Sequence, residues 1–218
     1  MTEARPQDDE TVSGAPASRP ALVEALGGKR GLVDSGLPAV VFVFVNSVVA
    51  AFADRDTGLR AALVASVVCG LGVVGLRLAR RETLQQALSG FFALAIAVWF
   101  AARSGEARDF FLPGILINVA YGTVFLVSAL VARPLVGYVY AAVDGLVGWR
   151  EDRRLRRAFA VASVGWALVF GARAAVQGTL YAMDRPGLLA AARLLMGWPL
   201  TILAVAATVA WVKRARRP

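Results

Sequence analysis

Along the 218 residues, apolar positions gather in long blocks and polar positions collect between them. The stretch "GGKRGLVDSGLPAVVFVFVNSVVA" (Gly27–Ala50) shows one such border. Its first half is glycine-rich and basic and is broken by Asp34; its second half is an almost unbroken run of Val, Phe and Ala. Six blocks each approach the ~20 residues that a helix needs to cross a hydrocarbon core about 30 Å thick. They cover about 37–54, 58–78, 84–102, 112–132, 157–182 and 188–212. None shows the short period-two alternation of a membrane β-barrel. The pattern therefore predicts an all-α, polytopic membrane helix bundle with about six transmembrane helices.

The connecting segments refine this layout. Residues 1–26 are rich in Pro, Ala, Ser and acidic side chains and read as a disordered tail. "PLVGYVYAAVDGLVGW" (Pro134–Trp149) is apolar but short, carries Asp144 and is rich in Tyr and Trp, which suits one helix lying in the interface. The membrane domain then runs over 27–212, and residues 213–218 form a basic C-terminus. Pro38 falls in the first turn of the first span, where its missing N–H is harmless. Pro199 lies inside the last, which membrane helices tolerate when neighbours satisfy the freed backbone.

Composition supports the membrane class and narrows the chemistry. The chain is 58% hydrophobic with a mean hydropathy of +0.61, more than one water-soluble core can bury. Net charge is +9, but the basic residues sit between apolar blocks rather than on an aromatic-interleaved face, so no nucleic-acid partner is expected. There is no histidine, and Cys69 is the single cysteine. The commonest general base and the His-paired nucleophiles are therefore missing. No catalytic, cofactor or metal site is expected, and the chain reads as a non-enzyme. "GGKR" fails as a phosphate-binding loop because Arg30 stands where Ser or Thr must ligate magnesium.

Orientation follows from the basic residues. Seventeen of the 24 fall on one side of the expected spans, six on the other, and Arg173 lies within the membrane. The positive-inside rule then places both termini in the cytoplasm of a multi-pass plasma-membrane protein. On that side Lys29, Arg30, Arg153, Arg154, Arg156, Arg157, Lys213 and Arg214 are candidate contacts for anionic lipids.

A few polar residues at membrane depth are the candidate site. Arg173, in "WALVFGARAAVQGTLYA", falls near the bilayer centre, where a charge costs roughly 2.5–3.5 kcal/mol on insertion scales. Gln177 is four residues on and shares its face. Asn118 and Asn46 are the other polar residues at depth, while Arg193 is nearer the outer end and can snorkel. Two readings are open: an interhelical hydrogen-bond network that fixes packing, or a polar cavity for an anion or lipid headgroup. Asp34 and Ser35, just before the first apolar block, read as an N-terminal helix cap, with an ion or charge-pairing role for Asp34 as the alternative. Small residues at four-residue spacing, in "GLGVVG" (Gly70–Gly75) and "GARAAVQG" (Gly171–Gly178), permit close helix contact within or between protomers, so a homo-oligomer is one option.

"GGKRGLVDSGLPAVVFVFVN" and "WALVFGARAAVQGTLYAMDRPGLLAAARLLMGWPL" resemble a family of uncharacterised multi-span membrane proteins from actinobacteria. More distantly the chain resembles the intracellular septation protein A family. Asp34, Leu37 and Pro38 correspond to its opening motif, Trp166 and Gln177 to a late span, and Arg193 and Gly197 loosely to its last. That likeness implies a membrane protein tied to envelope integrity and division, with envelope or division proteins as partners. Together with the missing catalytic groups, it favours a non-enzymatic interaction role. A small channel or transporter with a polar site around Arg173 and Gln177 is the alternative, and a lipid-acting enzyme is the weakest reading.

Overall fold

The structure, a computed structural model, describes residues 28–81 and 84–216; the side chains of residues 28–35, 84–87 and 89 fall outside that description. The tail expected over 1–26 lies outside it too. Seven α-helices follow in order, with no strand among the described residues. They are α1 (Gly28–Phe52), α2 (Arg55–Ala79), α3 (Leu84–Ser104), α4 (Leu112–Leu130), α5 (Leu135–Asp144), α6 (Arg153–Ala182) and α7 (Pro186–Ala215). A five-residue 3-10 turn, Ala107–Phe111, leads directly into α4.

Four stretches are long and apolar enough to cross a membrane: Arg55–Ala79, Ala107–Leu130, Arg153–Ala182 and Pro186–Ala215. Gly36–Phe52 and Gly90–Ser104, the described parts of α1 and α3, are shorter apolar stretches, so among the described residues four helices meet the length and composition of a span. The surface is equally telling. Phe44 is 67% exposed, Phe52 90% and Leu195 72%. Large apolar side chains on every long helix face outward, as they do when the solvent is hydrocarbon. The protein is built as a multi-pass helical membrane protein.

Local chemistry explains the helix ends. Asp54 caps α2, its carboxylate accepting from the Thr57 N–H and hydroxyl, each at 2.8 Å. These bonds hold its carboxyl below the usual carboxylate range. Asp152 caps α6 by accepting from the N–H groups of Arg154 and Leu155. α5 stops at Gly145, whose φ of 64° is open to glycine without strain. Residues 134–149 are thus helical only to Asp144. Beyond it the chain turns back through Gly148 (φ 77°) and buries Trp149 against Gly137, where an added Cβ would lie 2.6 Å from the indole.

One sequence expectation is corrected here. α1 is already under way at Gly28, six residues before Asp34, so Asp34 and Ser35 lie within the helix rather than at its N-terminus, and their side chains fall outside the described residues. The physical reason is that Gly31 and Gly36 weaken a helix without ending it when the apolar block beyond propagates the turn.

Two apolar clusters hold the bundle. One joins α1, α2, α3, the 3-10 turn, α4 and α7 around Phe42, Phe110 and Phe111. Phe42 and Phe110 stack at 4.1 Å with their planes 8° apart. The other joins α5, α6 and α7 around Trp149, Phe159 and Val212. It is stitched by the Val136 N–H donating to the buried Ser163 hydroxyl at 3.2 Å. Between α1–α3 on one hand and α4, α6 and α7 on the other, a cavity remains.

Candidate functional site

The cavity has a volume of about 500 Å³ and is lined from all six long helices. Its walls are mostly apolar, including Val73, Phe91, Ile117 and Leu194. Its charged lining consists of Arg77 from α2, Arg173 from α6 and Arg193 from α7. Among the described residues, no Asp or Glu lines it.

Arg173 stands nine residues, or about 14 Å of helix, before the end of α6. It is 9% exposed. One guanidinium nitrogen, Nη2, donates to the Gly197 carbonyl at 2.6 Å and to the Thr201 hydroxyl at 2.7 Å. Thr201 in turn donates to the same carbonyl, so three polar groups converge on the turn of α7 that contains Pro199. The guanidinium lies over the Phe170 ring, 5.6 Å from its centre. Its Nε is buried and has no hydrogen-bond partner. An arginine at this depth is thus anchored on one edge and unsatisfied on another. Leaving a buried charged donor unmet is costly, which makes that edge receptive to an acceptor.

Gln177, one turn further along α6, is buried at 4% exposure and lines the same space. Asn118 faces it from α4 and donates to the Gly114 carbonyl at 2.9 Å. Gly114 has a specific use: a Cβ there would come within 3.1 Å of the Arg193 guanidinium, so glycine makes the seat for that side chain. Arg193 is exposed, and the space it faces is the cavity.

The fold therefore brings Arg173, Gln177 and Asn118 to one wall-to-wall space and leaves Asn46 outside its lining. Arg77 and Arg193 join them, although the sequence suggests only a topology signal for the first and snorkelling for the second. A visible signal existed for Arg193: it falls seven residues into a helix whose neighbouring positions are all apolar.

The 3-10 turn borders the space through one residue. Phe110 lines the cavity from within the stacked aromatic cluster. The turn is tied to α6, with the Tyr181 hydroxyl donating to the Asp109 carboxylate and the Arg108 guanidinium 5.2 Å above the Tyr181 ring.

The basic residues at the far ends of α6 and α7 form a second, shallower feature. Arg153, Arg154 and Arg157 meet Trp211 and Arg214 around a groove of about 560 Å³. Arg156 and Lys213 are outside its lining. The side chains of Lys29 and Arg30 lie outside the described residues. Of the small-residue stretches, Gly70 is crowded, since a Cβ would meet Leu94 at 2.3 Å, whereas Gly72, Gly75, Gly171 and Gly178 face open space.

Residues 26–218 match the family model described as "Protein of unknown function (DUF3159)". The chain belongs to the DUF3159 family. Comparison with curated proteins and with solved structures gives no match. Membership covers the whole helical unit, including both arginine-bearing features.

Proposed function

We propose that this DUF3159 protein is a non-catalytic plasma-membrane protein, with both termini cytoplasmic, that binds an anion within its helix bundle and acts as a small carrier or channel for it. The observation that carries this reading is a cavity lined by Arg173, whose buried Nε has no partner, and by Arg193, which faces it across Gly114. A packing role for Arg173 asks for full pairing in a dry contact. Its unpartnered Nε, beside a space of ligand size, favours a bound acceptor instead. The test is anion flux into proteoliposomes, comparing wild type with Arg173→Leu at equal reconstitution. Loss of flux with the bundle still folded supports the reading; no flux from either protein overturns transport.

A second reading has its own observation. The groove of Arg153, Arg154, Arg157 and Arg214 beside Trp211 suits anionic headgroups on the cytoplasmic face. It suits the interaction role that a resemblance to the septation protein A family would imply: a scaffold for envelope or division proteins, alone or as a homo-oligomer. Pull-down of those proteins, lost when the four arginines are replaced, is its test.

A further inference from the structure

We infer that the anion taken by the cavity is the headgroup of an amphiphile, a phosphate monoester on an apolar chain, which enters sideways from the bilayer. The inference rests on the anion-binding reading above and adds to it the size, the polarity and the route of the ligand.

Size comes first. A cavity of about 500 Å³ falls in the range that holds drug-sized ligands. A water occupies about 30 Å³, so a small inorganic anion leaves most of that space unfilled. Filling it with water instead leaves many molecules against walls such as Val73, Val74, Phe91 and Ile117, which offer them no hydrogen bonds. An apolar chain fills the same volume without that penalty.

Route comes second. Val40, Ile117 and Leu194 line the cavity and are also 44%, 52% and 50% exposed. They are exposed apolar residues within apolar helices, so the side of the cavity they border faces hydrocarbon. A fully hydrated ion has no reason to enter from that side, but a lipid already lies in front of it.

Headgroup chemistry comes third. Arg173 presents a buried Nε with no partner, and Arg193 projects into the same space from its seat at Gly114. Guanidinium groups match phosphate oxygens in paired, charge-assisted hydrogen bonds. Two arginines, Arg173 and Arg193, on one lining favour a doubly charged phosphate monoester over a single carboxylate, because each negative charge is then met by a guanidinium. Gln177 and Asn118 add neutral polar atoms beside the head.

The experiment uses the full chain in nanodiscs carrying a trace of an alkyl phosphate with a diazirine in its chain. Labelled peptides are mapped after irradiation, and the competitors are inorganic phosphate, unlabelled alkyl phosphate and a neutral lipid of equal chain length. We expect labelling on the α4 and α7 walls, around Ile117 and Leu194. Only the unlabelled alkyl phosphate should compete. Arg193→Leu, which leaves the Arg173–Thr201 contact in place, should reduce labelling roughly tenfold or more, the fold-change for losing a hydrogen bond to a charged group. Arg173→Lys should retain part of it. If inorganic phosphate competes as well as the alkyl phosphate, the amphiphile is wrong while the anion reading stands. If the neutral lipid competes equally and Arg193→Leu changes nothing, the label reports ordinary lipid contact and both readings fall.

Discussion

Two parts of this molecule carry clusters of arginine and differ in almost everything else. The cavity holds Arg77, Arg173 and Arg193 among apolar walls inside the bundle. The groove holds Arg153, Arg154, Arg157 and Arg214, all four exposed, at the bundle's end. Their volumes are close, about 500 and 560 Å³. What separates them is solvent. In the groove, water and salt screen each charge, and an anion gains little beyond long-range attraction. In the cavity Arg173 is buried, so the cost of removing its guanidinium from water is met as the chain folds, and an arriving anion meets a charge that is barely screened. The count of arginines thus says little about binding strength; their surroundings decide it.

The sharpest way to break the comparison is to supply an internal anion. Gln177→Glu places a carboxylate one turn from Arg173 inside the cavity. Like charge facing a bound anion costs several kcal/mol, so binding in the cavity should weaken about a hundredfold. Val161→Glu does the same to the groove, where screening should limit the loss to a few-fold. Alkyl phosphate binding by each variant in nanodiscs measures both. Equal losses at the two sites would remove the distinction.

Salt provides the next test, without any mutation. Raising ionic strength shortens the Debye length from about 10 Å at 0.1 M to 3 Å at 1 M. Anionic lipid held at the groove should be released over that range, whereas ligand held in the cavity should stay. Removing one groove arginine, as in Arg157→Leu, should weaken lipid binding at low salt by about 1 kcal/mol, roughly fivefold. Lipid association measured along a salt titration would show two components if the sites differ as described, and one if they do not.

The sequence makes one of these regions far easier to see than the other. The groove's basic residues are written as runs, "REDRRLRR" and "KRARR", and their clustering survives any folding. Arg173 is legible for a different reason: a charge so far from either end of a span is expensive and needs an explanation. Arg77 and Arg193 are not legible in the same way. Each stands close enough to a span end to pass as a topology signal or a snorkelling side chain. Only the way the long helices meet around the cavity places both on its lining, and Gly114 on α4 admits Arg193. The same limit explains α1. Glycines and Asp34 look like a boundary when read locally, yet the helix runs through them. Helix existence is a local property of apolar blocks, whereas the cavity is a property of how six of them meet.

The smallest expected effect concerns what steadies the groove. Arg216 pairs with Asp144 at 2.7 Å and lies over the Tyr140 ring, 5.0 Å from its centre. These contacts tie the end of α7 to α5, close to the groove-lining Arg214 and Trp211. Both partners are partly exposed, at 31% and 45%, so the ion pair itself contributes at most about 1 kcal/mol. Asp144→Ala should therefore leave the fold intact and lower groove lipid binding less than about fivefold. The ring contact keeps Arg216 near its place, and Trp149 and Phe159, 5.1 Å apart, still hold α5 against α6. Cavity binding should not change, because none of these residues lines it. If Asp144→Ala weakened alkyl phosphate binding in the cavity as well, the two arginine clusters would be coupled through α7, and a single account would have to replace the separate ones.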